Sequence, residues 1–274
     1  MNTPLFDDFN EVSAKQWKQK IQFDLKGADY NEALIYKSLE GIDVKPFYHQ
    51  EDLINNPINV PVTTTWKNSL KIEVDDVIDG QQKATEAIVK GAENIHFVVT
   101  NYQIDPEKLL ENIPSKISVY LESKFISSAF VREVDKIALK NNLEIRVFTD
   151  IIGNLAQTGN WHVNLKNDHS ELEKTVANDY LKGIVSVDLG LYQNAGATMV
   201  QQLAYSLAHA NEYLNHFNNA SISFFKKTPI IFKVAIGGNY FFEIAKLRAL
   251  RTLWSILAEA FGIRQECHIL AYPS

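Results

Sequence analysis

The chain has 274 residues, 46% of them hydrophobic, with 27 Lys and Arg against 33 Asp and Glu for a formal net charge of −6. That length suits one large α/β domain or two small ones, and the balanced composition excludes a disordered chain. The acidic charge gives no electrostatic reason to approach nucleic acid or an anionic membrane, and a lone cysteine, Cys267, excludes an intrachain disulfide and a cysteine-built zinc site.

The opening stretch, MNTPLFDDFNEVSAKQWKQKI, lacks the apolar core of a secretory signal. No stretch approaches the ~18 consecutive apolar residues of a spanning helix, so a cytoplasmic protein is expected. Residues 1–62 read as an N-terminal helix and an extended arm. Phe6 to Leu25 has helical spacing, and Gly27, Gly41, Pro46, Pro57 and Pro61 then punctuate the chain too densely for a packed layer. The arm is expected to lie across a partner.

Residues 63–274 alternate strand-like and helix-like runs. The strand candidates are SLKIEV (Ser69 to Val74), NIHFVVT (Asn94 to Thr100), KISVYLE (Lys116 to Glu122), LEIRVFT (Leu143 to Thr149), IVSVDLG (Ile184 to Gly190), PIIFKVAI (Pro229 to Ile236) and ECHILAY (Glu266 to Tyr272). Helical patterns lie between them, such as Ala84, Ala87, Ile88 and Ala92 on one face, and Phe130, Val134, Ile137 and Ala138 on another. Such βαβα alternation predicts a parallel sheet. A doubly wound open sheet and a (β/α)8 barrel both satisfy it; as a barrel, the chain stops after the seventh strand and lacks the eighth.

Residue-level chemistry points to no enzyme. His162, Asp168 and His169 fall in WHVNLKNDHS, which reads as a polar loop, and offer no convergent zinc set. His209 and His216 lie two turns apart on one helix. Gly237 and Gly238 between a strand and a helix could expose amides to an anion, but no phosphate-loop lysine or third glycine accompanies them. In the following helix Lys246, Arg248 and Arg251 read as a solvated or partner-facing basic face beside the apolar stripe of Ile244, Leu247, Leu250 and Trp254. Tyr205, Tyr213, Tyr240 and Tyr272 are available phenols, and Asp75 and Asp76 follow the first strand of the sheet, but no nucleophile–base arrangement is visible.

Four stretches, in order, resemble one family. DLKGADY (Asp24 to Tyr30), EGIDVKPFYH (Glu40 to His49), NAGATMVQQLAYSLAHANEYL (Asn194 to Leu214) and NYFFEIAKLRALRTLW (Asn239 to Trp254) are similar to the coenzyme-B12-dependent methylmalonyl-CoA mutase family. The likeness covers essentially the whole chain. It implies a (β/α)8 TIM-type barrel, truncated here after the seventh strand and preceded by an extended N-terminal arm. In the family's catalytic chains an acyl-CoA threads the barrel axis, and a cobalamin domain with a D-x-H-x-x-G motif follows; this sequence has no such motif.

Those catalytic chains read roughly H-x-x-E-A-G-A before the fifth helix, the histidine holding the substrate thioester carbonyl. Matched on Ala195, Gly196 and Ala197, the histidine position is Leu191 and the glutamate position is Asn194. The family's tyrosine, in an R-Q-Y-A-G-like run, has no counterpart in WKNSLKIEVDD. The sequence therefore looks like the family's small, non-catalytic subunit, with no catalytic, cofactor-binding or metal residues of its own. The resemblance implies a barrel filled by its own side chains, a heterodimer with a large subunit that the arm wraps, and adenosylcobalamin held in that large subunit. The alternatives are an acyl-CoA mutase barrel using a cobalamin domain on a separate chain, and a stand-alone acyl-CoA binder.

Overall fold

The computed structural model describes residues 10–52, 65–178, 180–220, 222, 229–264 and 266–274. The chain divides into two units, Met1–Asn59 and Val60–Ser274.

In the first unit, α1 (Ala14–Asp24) starts at a capping box in which Ser13 and Gln16 satisfy each other's backbone amides, and none of its residues is buried. The expected extended arm is more structured than its glycines suggest. Asp29 caps a short helix α2 (Tyr30–Leu34), and β1 (Tyr36–Lys37) pairs antiparallel with β2 (Asp43–Val44) around Gly41 at φ +72°. Trp17 packs edge-on against Phe47, and Lys18 lies over Tyr30, the buried hydrophobic residue among those described in this unit. Pro57 and Pro61 lie outside the described residues.

The second unit alternates strand and helix. It runs β3 (Ser69–Val74), α3 (Val77–Val89), β4 (Asn94–Val99), α4 (Pro106–Leu110), β5 (Ser118–Ser123), α5 (Ser128–Asn141) and β6 (Ile145–Phe148). Then follow α6 (Ile151–Thr158), α7 (Leu165–Val176), β7 (Ser186–Asp188), α8 (Leu189–Asn194), α9 (Met199–Asn219), β8 (Ile231–Ile236), α10 (Tyr240–Ala260) and β9 (His268–Pro273). All strand pairings in this unit are parallel, in the orders β3-β4-β5-β6 and β7-β8-β9. A parallel bridge between Thr149 and Val185 joins the two sheets, with Thr149 N donating to Ile184 O at 3.0 Å and Ser186 N to Thr149 O at 3.1 Å. Spatial order thus follows chain order from β3 to β9, without the reversal of a doubly wound sheet. No pairing of β3 with β9 occurs among the described residues.

Alternation along each strand sends two kinds of residue to two faces. Ile72, Val74, Ile95, Phe97, Val99, Val119, Leu121, Ile145, Val147, Val187, Phe232 and Val234 belong to the main hydrophobic core, which also holds Val134 and Ile137 of α5, Leu172 of α7, Leu214 of α9, and Leu250 and Trp254 of α10. The opposite face holds a small separate cluster of Tyr120, Phe148 and Ile231, with Leu270 against it. The Tyr120 hydroxyl and His268 Nε2 are 2.8 Å apart, though β5 and β9 stand four places apart in strand order. A flat sheet would separate those strands by about 19 Å, so the sheet is strongly curled around this inner face.

Two local readings change. WHVNLKNDHS is no open loop: Asn164 caps α7, and buried Asp168 reaches back to accept from His162 N at 2.7 Å and Val163 N at 3.0 Å. The strand candidate IVSVDLG also ends sooner than expected, because Leu189–Asn194 winds into α8 before Gly196 turns the chain at φ +89°.

Candidate functional site

Active sites of parallel α/β folds gather at the C-terminal ends of the strands. Here the inner face carries charges between the middles of the strands and those ends. Glu122 is on β5, His96 on β4, Asp188 ends β7, Lys233 is on β8 and Tyr272 on β9. Glu122 Oε2 is 3.1 Å from His96 Nε2 and accepts from Lys233 Nζ at 2.9 Å, and its Oε1 accepts from Lys124 Nζ at 2.6 Å. Lys233 Nζ also lies 2.9 Å from Asp188 Oδ2, and Asp188 Oδ1 accepts from the Tyr272 hydroxyl at 2.8 Å and from Gly190 N at 2.9 Å.

The circuit is balanced: two carboxylates face two ammonium groups. Burial would raise the Glu122 carboxyl, but the hydrogen bond from His96 and the charges of Lys233 and Lys124 outweigh it and hold the group well below the usual carboxylate range. Burial pushes His96 down against the pull of Glu122, which leaves its ring neutral near pH 7. Lys233 is raised, because Asp188 and Glu122 overcome a desolvation that would lower it. Tyr272 is raised by burial and by the Asp188 charge. Tyr272 is thus no activated phenol near neutral pH, and the side chains of Lys233 and Glu122 are only 12% and 10% exposed. Chemically, the arrangement crosslinks the interior.

A second polar cluster flanks it. Asp150 caps α6, and its Oδ1 accepts from Gly153 N and from the Tyr213 hydroxyl, both at 2.7 Å. His209 Nε2 is 2.9 Å from the same oxygen but not aligned as a hydrogen bond, while Nδ1 is 3.0 Å from the Tyr192 hydroxyl of α8. Burial and the Asp150 charge raise Tyr213 well above its ordinary value and Tyr192 to about 12, so neither phenol is poised to ionise.

A third cluster surrounds Lys246. Its Nζ donates to Ala235 O at 2.9 Å, Gln202 Oε1 at 3.2 Å and Gln193 Oε1 at 3.4 Å, and pairs with Glu243 Oε2 at 2.8 Å. Lys246 is therefore buried, not part of a basic face: the helix phase that buries Glu243, Leu250, Trp254 and Ala258 carries it inward. Arg248 is exposed as expected. Glu243 Oε1 accepts from Gly237 N at 3.0 Å, so a carboxylate of the chain itself takes the amide that might have met an anion.

Leu191 is half-buried on α8, and Asn194 is exposed at its last position. The two are not brought into the Glu122–Lys233 network. Asp76 caps α3, and His162 lends only its backbone amide to Asp168. His216 Nε2 lies 3.0 Å from Glu173 Oε1, with the His169 ring 4.6 Å away. Tyr205 and Tyr240 are exposed. The sequence reading missed His96, Glu122, Asp188 and Lys233. Their signal was a charge or an imidazole inside an otherwise apolar strand, where a buried ionic group requires a partner.

The family model described as methylmalonyl-CoA mutase matches residues 107–272, more than half of the chain. The chain belongs to the methylmalonyl-CoA mutase family. It is 26% identical to the protein named methylmalonyl-CoA mutase small subunit of Porphyromonas gingivalis, over 94% of this chain and 46% of that relative. Identity is 25% to the small subunit of Propionibacterium freudenreichii subsp. shermanii, over 96% of this chain and again 46% of the relative. A protein named methylmalonyl-CoA mutase large subunit, from Porphyromonas gingivalis, is 42% identical over 73 residues, 26% of this chain and 10% of that protein. The mutase-family chain thus spans about half the length of the small-subunit relatives it matches.

His96 is held by Glu122, His268 by Tyr120, His209 by Tyr192 and His169 by the Leu165 carbonyl. Among the described residues, no three His, Cys, Asp or Glu side chains gather to hold a metal ion, and no helix is long and apolar enough to cross a membrane.

Proposed function

We propose that this chain is part of the small subunit of a coenzyme-B12-dependent methylmalonyl-CoA mutase and acts as a non-catalytic scaffold for the large subunit, which holds adenosylcobalamin and isomerises methylmalonyl-CoA and succinyl-CoA. In this reading the second unit contributes seven strands to a (β/α)8 barrel, the first unit is the arm that wraps the large subunit in a heterodimer, and the protein is cytoplasmic.

The observation that carries the reading is the bridge from Glu122 through Lys233 to Asp188. It ties β5, β7 and β8 together across the inner face, which in this reading is where an acyl-CoA would have to thread. Removing either charge from its partner in a buried setting is strongly unfavourable, so a substrate would not displace the bridge cheaply. Leu191 supports the same reading, because an aliphatic side chain donates no hydrogen bond to a thioester carbonyl. Calorimetric titration of the chain with methylmalonyl-CoA tests it: no binding is expected, and saturable binding at micromolar concentration would favour the acyl-CoA mutase barrel that borrows a cobalamin domain from another chain.

A further inference from the structure

Gly190, the second residue of α8, has no room for a side chain. A Cβ there would lie 1.8 Å from the Tyr272 hydroxyl oxygen and 2.9 Å from the ring carbon that bears it. The same hydroxyl donates to Asp188 Oδ1, which also accepts from Gly190 N. One phenol of β9 thus fills the space over the start of α8 and binds the carboxylate that caps that helix.

The rest of α8 is tied to other elements. Tyr192 meets His209 of α9, and Gln193 accepts from Lys246 of α10. Gln193 Nε2 also approaches to 3.9 Å of where a Cβ on Gly237, just past β8, would stand. At its end, Ala195 N, Gly196 N and Ala197 N donate back into the helix before Gly196 turns the chain.

We infer that Tyr272 is a latch that holds α8 down against the C-terminal ends of β7 and β8, with Gly190 conserving the latch's space by having no side chain. The latch continues inward. Asp188 uses Oδ1 for Tyr272 and Oδ2 for Lys233, which reaches on to Glu122, so the position of α8 and the ion pair inside the sheet are joined through one carboxylate. The inference stands on β7, β8, β9 and α8 and does not depend on the subunit reading.

The test compares Gly190→Ala, Tyr272→Leu and the double variant by thermal unfolding and by hydrogen exchange at the amides of Ala195, Gly196 and Ala197. Gly190→Ala should accelerate exchange at these amides by roughly tenfold or more, the size set by loss of a hydrogen bond to a carboxylate. In the Tyr272→Leu background, which has already lost the latch, adding Gly190→Ala should change exchange less than twofold. An equal effect of Gly190→Ala in both backgrounds would overturn the inference. Should Gly190→Ala fail to fold, Tyr272→Phe alone decides: it keeps the ring and loses the hydroxyl, faster exchange in α8 supports the latch, and unchanged exchange refutes it.

Discussion

Lys233 Nζ and Glu122 Oε2 meet 2.9 Å apart on the inner face of the sheet, although β6 and β7 stand between their strands. Neither group can lose the other cheaply, because each is nearly removed from water. Lys233→Met is expected to destabilise the chain by about 3 kcal/mol, because Asp188 loses its ammonium partner and the buried Glu122 is left with Lys124 as its cation. Adding Glu122→Gln should recover a large part of that loss. Urea unfolding of the single and double variants measures both, and equal losses would show that the pair is not coupled.

Acid should weaken the fold in two stages. Burial lowers His268 to about 4 and also lowers His96, so the folded chain binds fewer protons than the unfolded chain below the unfolded histidine value of about 6.5. Stability from these two groups is fully present above about pH 6.5 and is lost as pH falls toward the folded values, by about 1.4 kcal/mol per pH unit and histidine at most. Glu122 is depressed, so its contribution is lost only below the ordinary carboxylate range near pH 4.3. Melting temperature measured from pH 7.5 to 4.5 should fall, and His268→Leu should flatten that slope; a parallel slope in the variant would assign the acid sensitivity elsewhere.

Gly196 and Gly238 make a matched pair. Neither would place a Cβ within 4 Å of another group, but Gly196 sits at φ +89° and Gly238 carries no such constraint. Gly196→Ala should therefore cost about 1 kcal/mol and Gly196→Val more, through backbone strain alone. Gly238→Ala should be neutral to within about 0.5 kcal/mol. Thermal unfolding of the three variants checks the order.

Lys246 distinguishes a buried tie from a partner contact. With its side chain fully buried among Glu243, Gln202, Gln193 and the Ala235 carbonyl, Lys246→Met should destabilise the isolated chain by about 3 kcal/mol or more, because Glu243 is left uncompensated. Arg248→Met, on the exposed side of α10, should change stability by less than about 0.5 kcal/mol. Chemical unfolding of the two variants separates the roles, and a stable Lys246→Met chain would return that lysine to the surface.

The strands were legible because apolar, β-branched-rich runs of six to eight residues lie between helical patterns, and each run from SLKIEV to ECHILAY holds a strand. Their spatial order was not legible, since a doubly wound sheet and a barrel share one alternation; the Thr149–Val185 bridge and the Tyr120–His268 contact are long-range facts. The inner charges were hidden by averaging: PIIFKVAI counts as apolar until strand parity separates Lys233 from Phe232 and Val234. Helix α8 was missed because six residues are too few for a periodic pattern to declare itself. Lys246 was misread because KLRALR suggests a basic face, and only the full helix phase turns that lysine inward. Leu191 and Asn194 were singled out by resemblance and lie outside the Glu122–Lys233–Asp188 bridge, which required side-chain geometry.

As proposed, this chain supports a catalytic partner without performing chemistry. Light scattering on a sizing column, of the chain alone and mixed with the cobalamin-binding large subunit of the same genome, followed by a mutase assay on each peak, tests it most directly. A one-to-one complex is expected, with turnover only in fractions that contain the large subunit. Turnover by this chain with a bare cobalamin-binding domain, or no complex with the large subunit, would contradict it.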